Sequence, residues 1–205
     1  MSTVPGFPPR HPLGLPPGSV RAVLAIMIAG LFWLVLVLAE TNQAIEVPLF
    51  LYFLTGMVLL FFGSHGHTIG GHLSAGSPLH LPSGTIRFLL LAATIGVFGW
   101  MYYKDPTRIH EIVTPKPDQL LQWPQLLMTT VGGFGLGFLA GRGPWRRRNS
   151  FQDLLAWVSL MAMLGLVVET VWIVFINPSL VEGMTLHTWE AALTAIVSFY
   201  FGARS

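Results

Sequence analysis

Between Arg21 and Glu40 the chain carries eighteen consecutive residues, Ala22 to Ala39, without a charge or a hydroxyl. Coiled as a helix at roughly 1.5 Å per residue, the segment Val20–Ala39 is long enough to cross the hydrocarbon core of a bilayer. A water-soluble domain of 205 residues has little room to hide such a rod on all sides. The rest of the composition agrees: 53% of residues are apolar, 10% are charged, and mean hydropathy is +0.64. These values lie far from those of soluble domains. The chain is expected to be an all-α integral membrane protein.

A short motif opens this apolar run and is used again. Leu15-Pro16-Pro17-Gly18-Ser19-Val20-Arg21 and Leu81-Pro82-Ser83-Gly84-Thr85-Ile86-Arg87 share the pattern Leu-Pro-x-Gly-(Ser/Thr)-(Val/Ile)-Arg. The offset is 81 − 15 = 66 at the first residue and 87 − 21 = 66 at the last. Pro and Gly stop any preceding helix, and Ser19 or Thr85 is expected to cap the next one with its hydroxyl. The helix dipole mildly disfavours Arg in a first turn. Snorkelling to headgroup phosphate would offset that penalty.

Six apolar segments follow in order: about Val20–Ala39, Ile45–Phe62, Thr85–Tyr103, Trp123–Gly141, Leu154–Ile176 and Leu186–Phe201. A Gly- and His-rich linker, Ser64 to His80, separates the second from the third. The longest polar stretch, Lys104 to Gln119, holds three prolines and reads as a loop. The N-terminal stretch, residues 1–14, is Pro-rich without an apolar core, unlike a cleavable signal peptide.

Charge placement assigns the sides. With the N-terminus inside, Arg10, Arg21, Arg87, Arg142, Arg146, Arg147, Arg148 and Arg204 fall on the cytoplasmic side, eight of eleven basic residues. Seven of nine acids fall outside or at that boundary, leaving Asp153 inside and Glu169 within a span. Such a bias follows the positive-inside rule. The expected architecture is therefore six transmembrane helices with both termini cytoplasmic, in a bacterial inner membrane. They group as three two-helix hairpin repeats, about 15–64, 81–142 and 150–205, behind a Pro-rich cytoplasmic tail. The third unit is the weakest, because Phe151, Gln152 and Asp153 replace Thr85, Ile86 and Arg87. The hairpin exits, Phe138-Leu139-Ala140-Gly141-Arg142 and Tyr200-Phe201-Gly202-Ala203-Arg204, are more alike. Parallel repetition of this kind differs from the inverted repeats and broken helices common in transporters.

Gly133, Gly137 and Gly141 recur at spacing four, a stripe on which a neighbouring helix can approach closely. Glu169 is the one ionisable side chain well inside a segment. A carboxyl there is costly and by default marks a site. It is expected either to bind a proton or cation, or to bridge helices as a neutral carboxyl hydrogen-bonded to Thr129 or Thr130. His187 and Glu190 share a helical face at spacing three, which suits helix capping at the interface.

Other chemistry is thin. Absence of cysteine removes disulfides, thiolate metal sites and thiol nucleophiles. His65, His67 and His72, with His80, crowd one linker, but no carboxylate or thiol lies within it and no helix holds them together. They are weak metal candidates. Ser159 and Ser198 lack the flanking glycines of an intramembrane serine protease, and no phosphate loop or nucleophile elbow is present. Arg21, Arg87, Arg142, Arg146, Arg147 and Arg148 suit anionic lipid or an acidic partner surface. The basic pI of 9.3 is a topological feature and does not indicate nucleic acid.

By elimination, the chain is expected to be a non-enzymatic scaffold or accessory subunit of a larger membrane complex, such as an energy-transducing respiratory or photosynthetic one. Its expected partners are membrane lipids and other membrane subunits or further copies of itself. No cofactor is required, although bound lipid or pigment is compatible with the many aromatics. The alternative is a small ion or proton channel or transporter using Glu169. A His-dependent membrane metalloenzyme is a distant third.

Overall fold

The computed structural model describes residues 18–41, 47–64, 84–114, 123–143, 149–172, 174 and 184–204. Nearly all of these residues are helical, with no strand among them. The helices are α1 (Ser19–Thr41), α2 (Leu49–Ser64), α3 (Thr85–Lys104), α4 (Pro106–Val113), α5 (Trp123–Arg142), α6 (Asn149–Val171) and α7 (Met184–Ala203). Three helical segments, Ser19–Thr41, Thr85–Lys104 and Ser150–Val171, are long and apolar enough to cross a membrane, and Leu49–Phe62 is a shorter apolar helix. The Pro-rich tail, the four linker histidines and Arg146–Arg148 lie outside the described residues.

The two motif copies start their helices in the same way. Gly18 and Gly84 both take positive φ, 83° and 91°. The first helical bonds are equivalent, Ala22 N–H to the Gly18 carbonyl at 3.0 Å and Phe88 N–H to the Gly84 carbonyl at 2.9 Å. The expected hydroxyl cap is absent at the second copy, where Gly84 is itself the N-cap and no side chain bonds to the turn. Left-handed backbone favours glycine because a Cβ there collides with the following carbonyl. The element that both copies share in the structure is the left-handed glycine.

Three boundaries differ from expectation. The polar stretch after Lys104 contains α4, which begins on Pro106, where a missing N–H costs nothing. Asp105 Oδ1 caps it, accepting from Thr107 N–H at 3.0 Å and Thr107 Oγ1 at 2.7 Å. Helix α2 starts at Leu49, after Pro48, and not at Ile45. Helix α6 starts at Asn149, about one and a half turns before the expected Leu154, and its α-helical part runs to Val171, while the expected end at Ile176 lies outside the described residues. Trp172 and Val174 beyond it are π-helical.

Side-chain contacts set the directions. Trp33 Nε1 donates to Thr94 Oγ1 at 3.2 Å, and Lys104 Nζ meets Glu40 at 3.5 Å, so α1 and α3 run parallel. The Phe53–Trp123 and Phe61–Phe201 ring pairs, at 5.2 and 5.5 Å, align α2 with α5 and α7. One end of the bundle thus gathers the starts of α1, α3 and α6 with the finishes of α2, α5 and α7. It holds Arg21, Arg142 and Arg204 and is called here the arginine end. The opposite end carries Glu40, Glu169 and Glu190 and is called the carboxylate end.

Helices α1, α2, α7 and α6 close a ring of contacts in that order, with α3 laid outside α1 and α2, and α5 outside α7 and α2. The core sits within the ring, where Leu24, Ile28, Leu36, Phe50, Leu54, Leu166 and Phe201 are fully buried. Helix α3 buries only Ile86, Leu90 and Met101 and turns Phe88 and Ile95, 75% and 70% exposed, outward.

The closest pairing is α5 on α7. A Cβ on Gly133 would stand 2.6 Å from the Ala195 carbonyl oxygen, and one on Gly141 2.6 Å from that of Ala203. One on Gly137 would overlap the Phe199 carbonyl, and in the reverse sense one on Gly202 would overlap that of Phe134. The offsets are constant, 195 − 133 = 62, 199 − 137 = 62 and 203 − 141 = 62, so the helices lie parallel and in register. In a bilayer, lipid tails are as apolar as leucine, and helices associate through close packing of this sort.

Candidate functional site

The seam decides where the polar face of α7 points. With Ala195 and Ala203 against α5, another stripe at spacing four, Glu190, Thr194 and Ser198, is left to the bundle interior. Their exposures are 8%, 0% and 0%. Helix α6 runs antiparallel beside it, and a Cβ on Gly165 would come within 3.0 Å of Leu193 Cδ1. One turn further along α6, Glu169 comes level with Glu190.

Glu169 stands in the last α-helical turn of α6, yet only 7% of it is exposed. Both its oxygens are buried without a hydrogen-bond partner. The Thr194 and Ser198 hydroxyls are buried and unpartnered too, as is that of Thr130 on α5. Unmade hydrogen bonds in an apolar interior are expensive, so their concentration along one helix face marks a place built for something.

The other residues singled out from the sequence fall as follows. Thr129 donates to its own helix at the Leu126 carbonyl, 3.0 Å, and no hydrogen bond joins Glu169 to Thr129 or Thr130. The helices that carry them are held apart by α7. Glu190 is in the second turn of α7 and is buried. Ser159 and Thr170 are buried but donate to their own backbones, at Leu155 and Leu166. Among the described residues no group of three or more metal-ligating side chains gathers.

At the arginine end, Arg21 is not extended towards headgroups. Its Nη1 donates to the Arg204 carbonyl at 2.8 Å, and its guanidinium lies 5.6 Å from the Phe61 ring centroid. A helix C-terminus has orphan carbonyls and negative dipole, which favours a cation there. Arg204 Nη1 in turn donates to Gln152 at 3.3 Å, tying α1, α6 and α7 together. Arg142 stacks on Phe138 at 4.0 Å.

Sequence reasoning missed the Glu169–Glu190 juxtaposition, the Lys104–Glu40 pair and the close approach at Gly202. The spacing of Glu190, Thr194 and Ser198 was the available signal for the first. Compared with family models, curated proteins and solved structures, the chain matches none of them.

Proposed function

We propose that the chain is a six-span protein of a bacterial inner membrane, both termini cytoplasmic, and that it acts as a non-enzymatic scaffold or accessory subunit of a larger membrane assembly. In this reading α4 lies outside the bilayer and the other six helices pair as three parallel hairpins. The alternating helix directions and the identical starts of α1 and α3 support it, together with the charge bias. Lipid is the second partner, at the apolar outer faces and around the arginine end.

The observation that carries the scaffold reading is the outer face of α3. Ala92, Gly96 and Gly99 are exposed there, and a Cβ on either glycine would meet nothing within 4 Å. Small residues in a membrane helix let another helix approach. On α5 such a stripe is filled by α7. On α3 it is open, and a helix of a partner subunit or of a second copy would fill it. Native membranes solubilised gently should release the protein in a discrete assembly larger than one chain. Gly96→Leu should reduce it to the single chain without lowering the melting temperature. A wild-type protein that is always a single chain would refute the scaffold reading.

Glu169 favours a second reading, an ion or proton pathway, because its carboxyl is buried and unpartnered. Flux across liposomes carrying the purified protein, abolished by Glu169→Gln with folding intact, would support that reading over the first.

A further inference from the structure

Exposed Trp and Tyr side chains mark two levels on the molecule. At the carboxylate end, Trp100 and Tyr103 close α3, Trp172 follows α6, Trp123 opens α5 and Trp189 stands in the second turn of α7, all of them exposed. This level is about one turn deep, since by the α5–α7 register Trp123 stands level with residue 123 + 62 = 185. The other level is marked by Trp157, also exposed. It lies eight residues before Gly165 on α6, and Phe201 lies eight after Leu193 on the antiparallel α7. Gly165 and Leu193 touch, so Trp157 is level with Phe201, whose ring pairs with that of Phe61 beside the Arg21 guanidinium. Among the described residues, the exposed side chains between the two levels are apolar and include no Trp or Tyr, as Ile95, Leu136, Met161 and Val168 illustrate. Trp and Tyr gather at membrane–water interfaces because their rings are apolar while their N–H and O–H groups seek water.

The two levels are close together. Trp157 and Trp172 are 172 − 157 = 15 residues apart, about 22 Å along a helix. Trp189 and Arg204 on α7 are separated by the same number, 204 − 189 = 15. On α3 the bounding charges, Arg87 and Lys104, are 104 − 87 = 17 residues apart, about 26 Å. Tilt only shortens these lengths when they are projected on the membrane normal. An ordinary hydrocarbon core is about 30 Å thick. A short protein can relieve such a mismatch by stretching its flanking charges outward. Two of them are turned back instead. Lys104 Nζ lies 5.2 Å from the Trp100 ring centroid and 3.5 Å from Glu40, and Arg21 is bound to the Arg204 carbonyl.

We infer that the lipid-facing band of this protein fits a hydrocarbon core of about 22–26 Å, so that it prefers short-chain phospholipid and thins a bilayer of ordinary thickness around itself. The two aromatic levels hold the headgroup regions of the two leaflets. The inference rests on the six-span reading for its topology and is independent of the scaffold role.

The test uses the full-length protein in nanodiscs of phosphatidylcholines with monounsaturated chains of increasing length: dimyristoleoyl, dipalmitoleoyl, dioleoyl and dierucoyl. The melting temperature should be highest in one of the first two and lower by about 5 °C or more in dierucoyl lipid. An optimum in dioleoyl or dierucoyl lipid, or a melting temperature indifferent to chain length, would overturn the inference. Trp157→Leu extends the apolar face of α6 by a turn, to the exposed Leu154, and should move the optimum towards the next longer lipid. An optimum that stays in place would overturn the role given to the aromatic level. Failure of the six-span reading has a separate sign, Pro115→Cys and Gly143→Cys labelled from the same side of the membrane.

Discussion

Two faces of small residues, on α5 and on α3, look alike in sequence and sit differently in the molecule. On α5, Gly133, Gly137 and Gly141 are buried, and a partner backbone occupies the space a side chain would take. On α3, Ala92, Gly96 and Gly99 face outward, with open space at both glycines. A small-residue stripe therefore states only that close approach is permitted. Whether the approach happens within the chain depends on what the neighbouring helix offers. Helix α7 offers Ala195, Gly202 and Ala203 in matching register. Beside α3, the chain supplies α1 on the other face, through Trp33, Phe32 and Glu40.

The largest expected effect breaks the filled face. Gly137→Leu puts a branched side chain where the Phe199 carbonyl lies, so thermal unfolding in detergent should show destabilisation of about 1–3 kcal/mol or more, as for crowded cores. Gly202→Ala should act in the same direction from the other helix, because even one methyl overlaps the Phe134 carbonyl. An unchanged melting temperature in both would mean that the two helices are not in contact.

Glycines at the helix starts come next. Gly18→Ala and Gly84→Ala each force a Cβ into left-handed backbone, at about 1–2 kcal/mol. Equal losses in the two variants would sharpen the equivalence of the motif copies. A loss at one position alone would show that the copies are not the same device.

The smallest effects lie on α3. Trp33→Phe removes one hydrogen bond to Thr94 and should cost about 0.6 kcal/mol, the average for such bonds between membrane helices. Gly96→Leu should change the stability of the single chain by no more than about 0.5 kcal/mol, as at other open surface positions. A large destabilisation there would mean that the stripe faces the bundle.

Much of this arrangement was readable from residues, and the unreadable parts have physical causes. Helices α1 and α3 start where the duplicated motif places them, because a left-handed glycine is a local requirement. Hydropathy placed the start of α6 too late, since backbone hydrogen bonding is indifferent to the polarity of Gln152 and Asp153 in the first turns. It also hid α4, although Asp105-Pro106-Thr107 is a legible cap. Glu169 stood out as a buried acid from its own neighbours. Its proximity to Glu190 depends on the relative height of two helices, which Gly165 against Leu193 sets and no single segment reveals. Arg21 has the same lesson: its partner is a carbonyl 183 positions away.

The chain has no cysteine, so site-specific labels can be introduced singly without background. Labelling should find Gly143→Cys cytoplasmic and Pro115→Cys outside. The most direct measurement on the contrast between the two faces places a photo-crosslinking residue at Ile95 on α3, or at Leu136 on the outer side of α5, in native membranes. Ile95 should yield a protein adduct of discrete mass, lost when Gly96→Leu is added, whereas Leu136 should capture lipid. Lipid capture at both positions would contradict the assignment of α3 as the docking face.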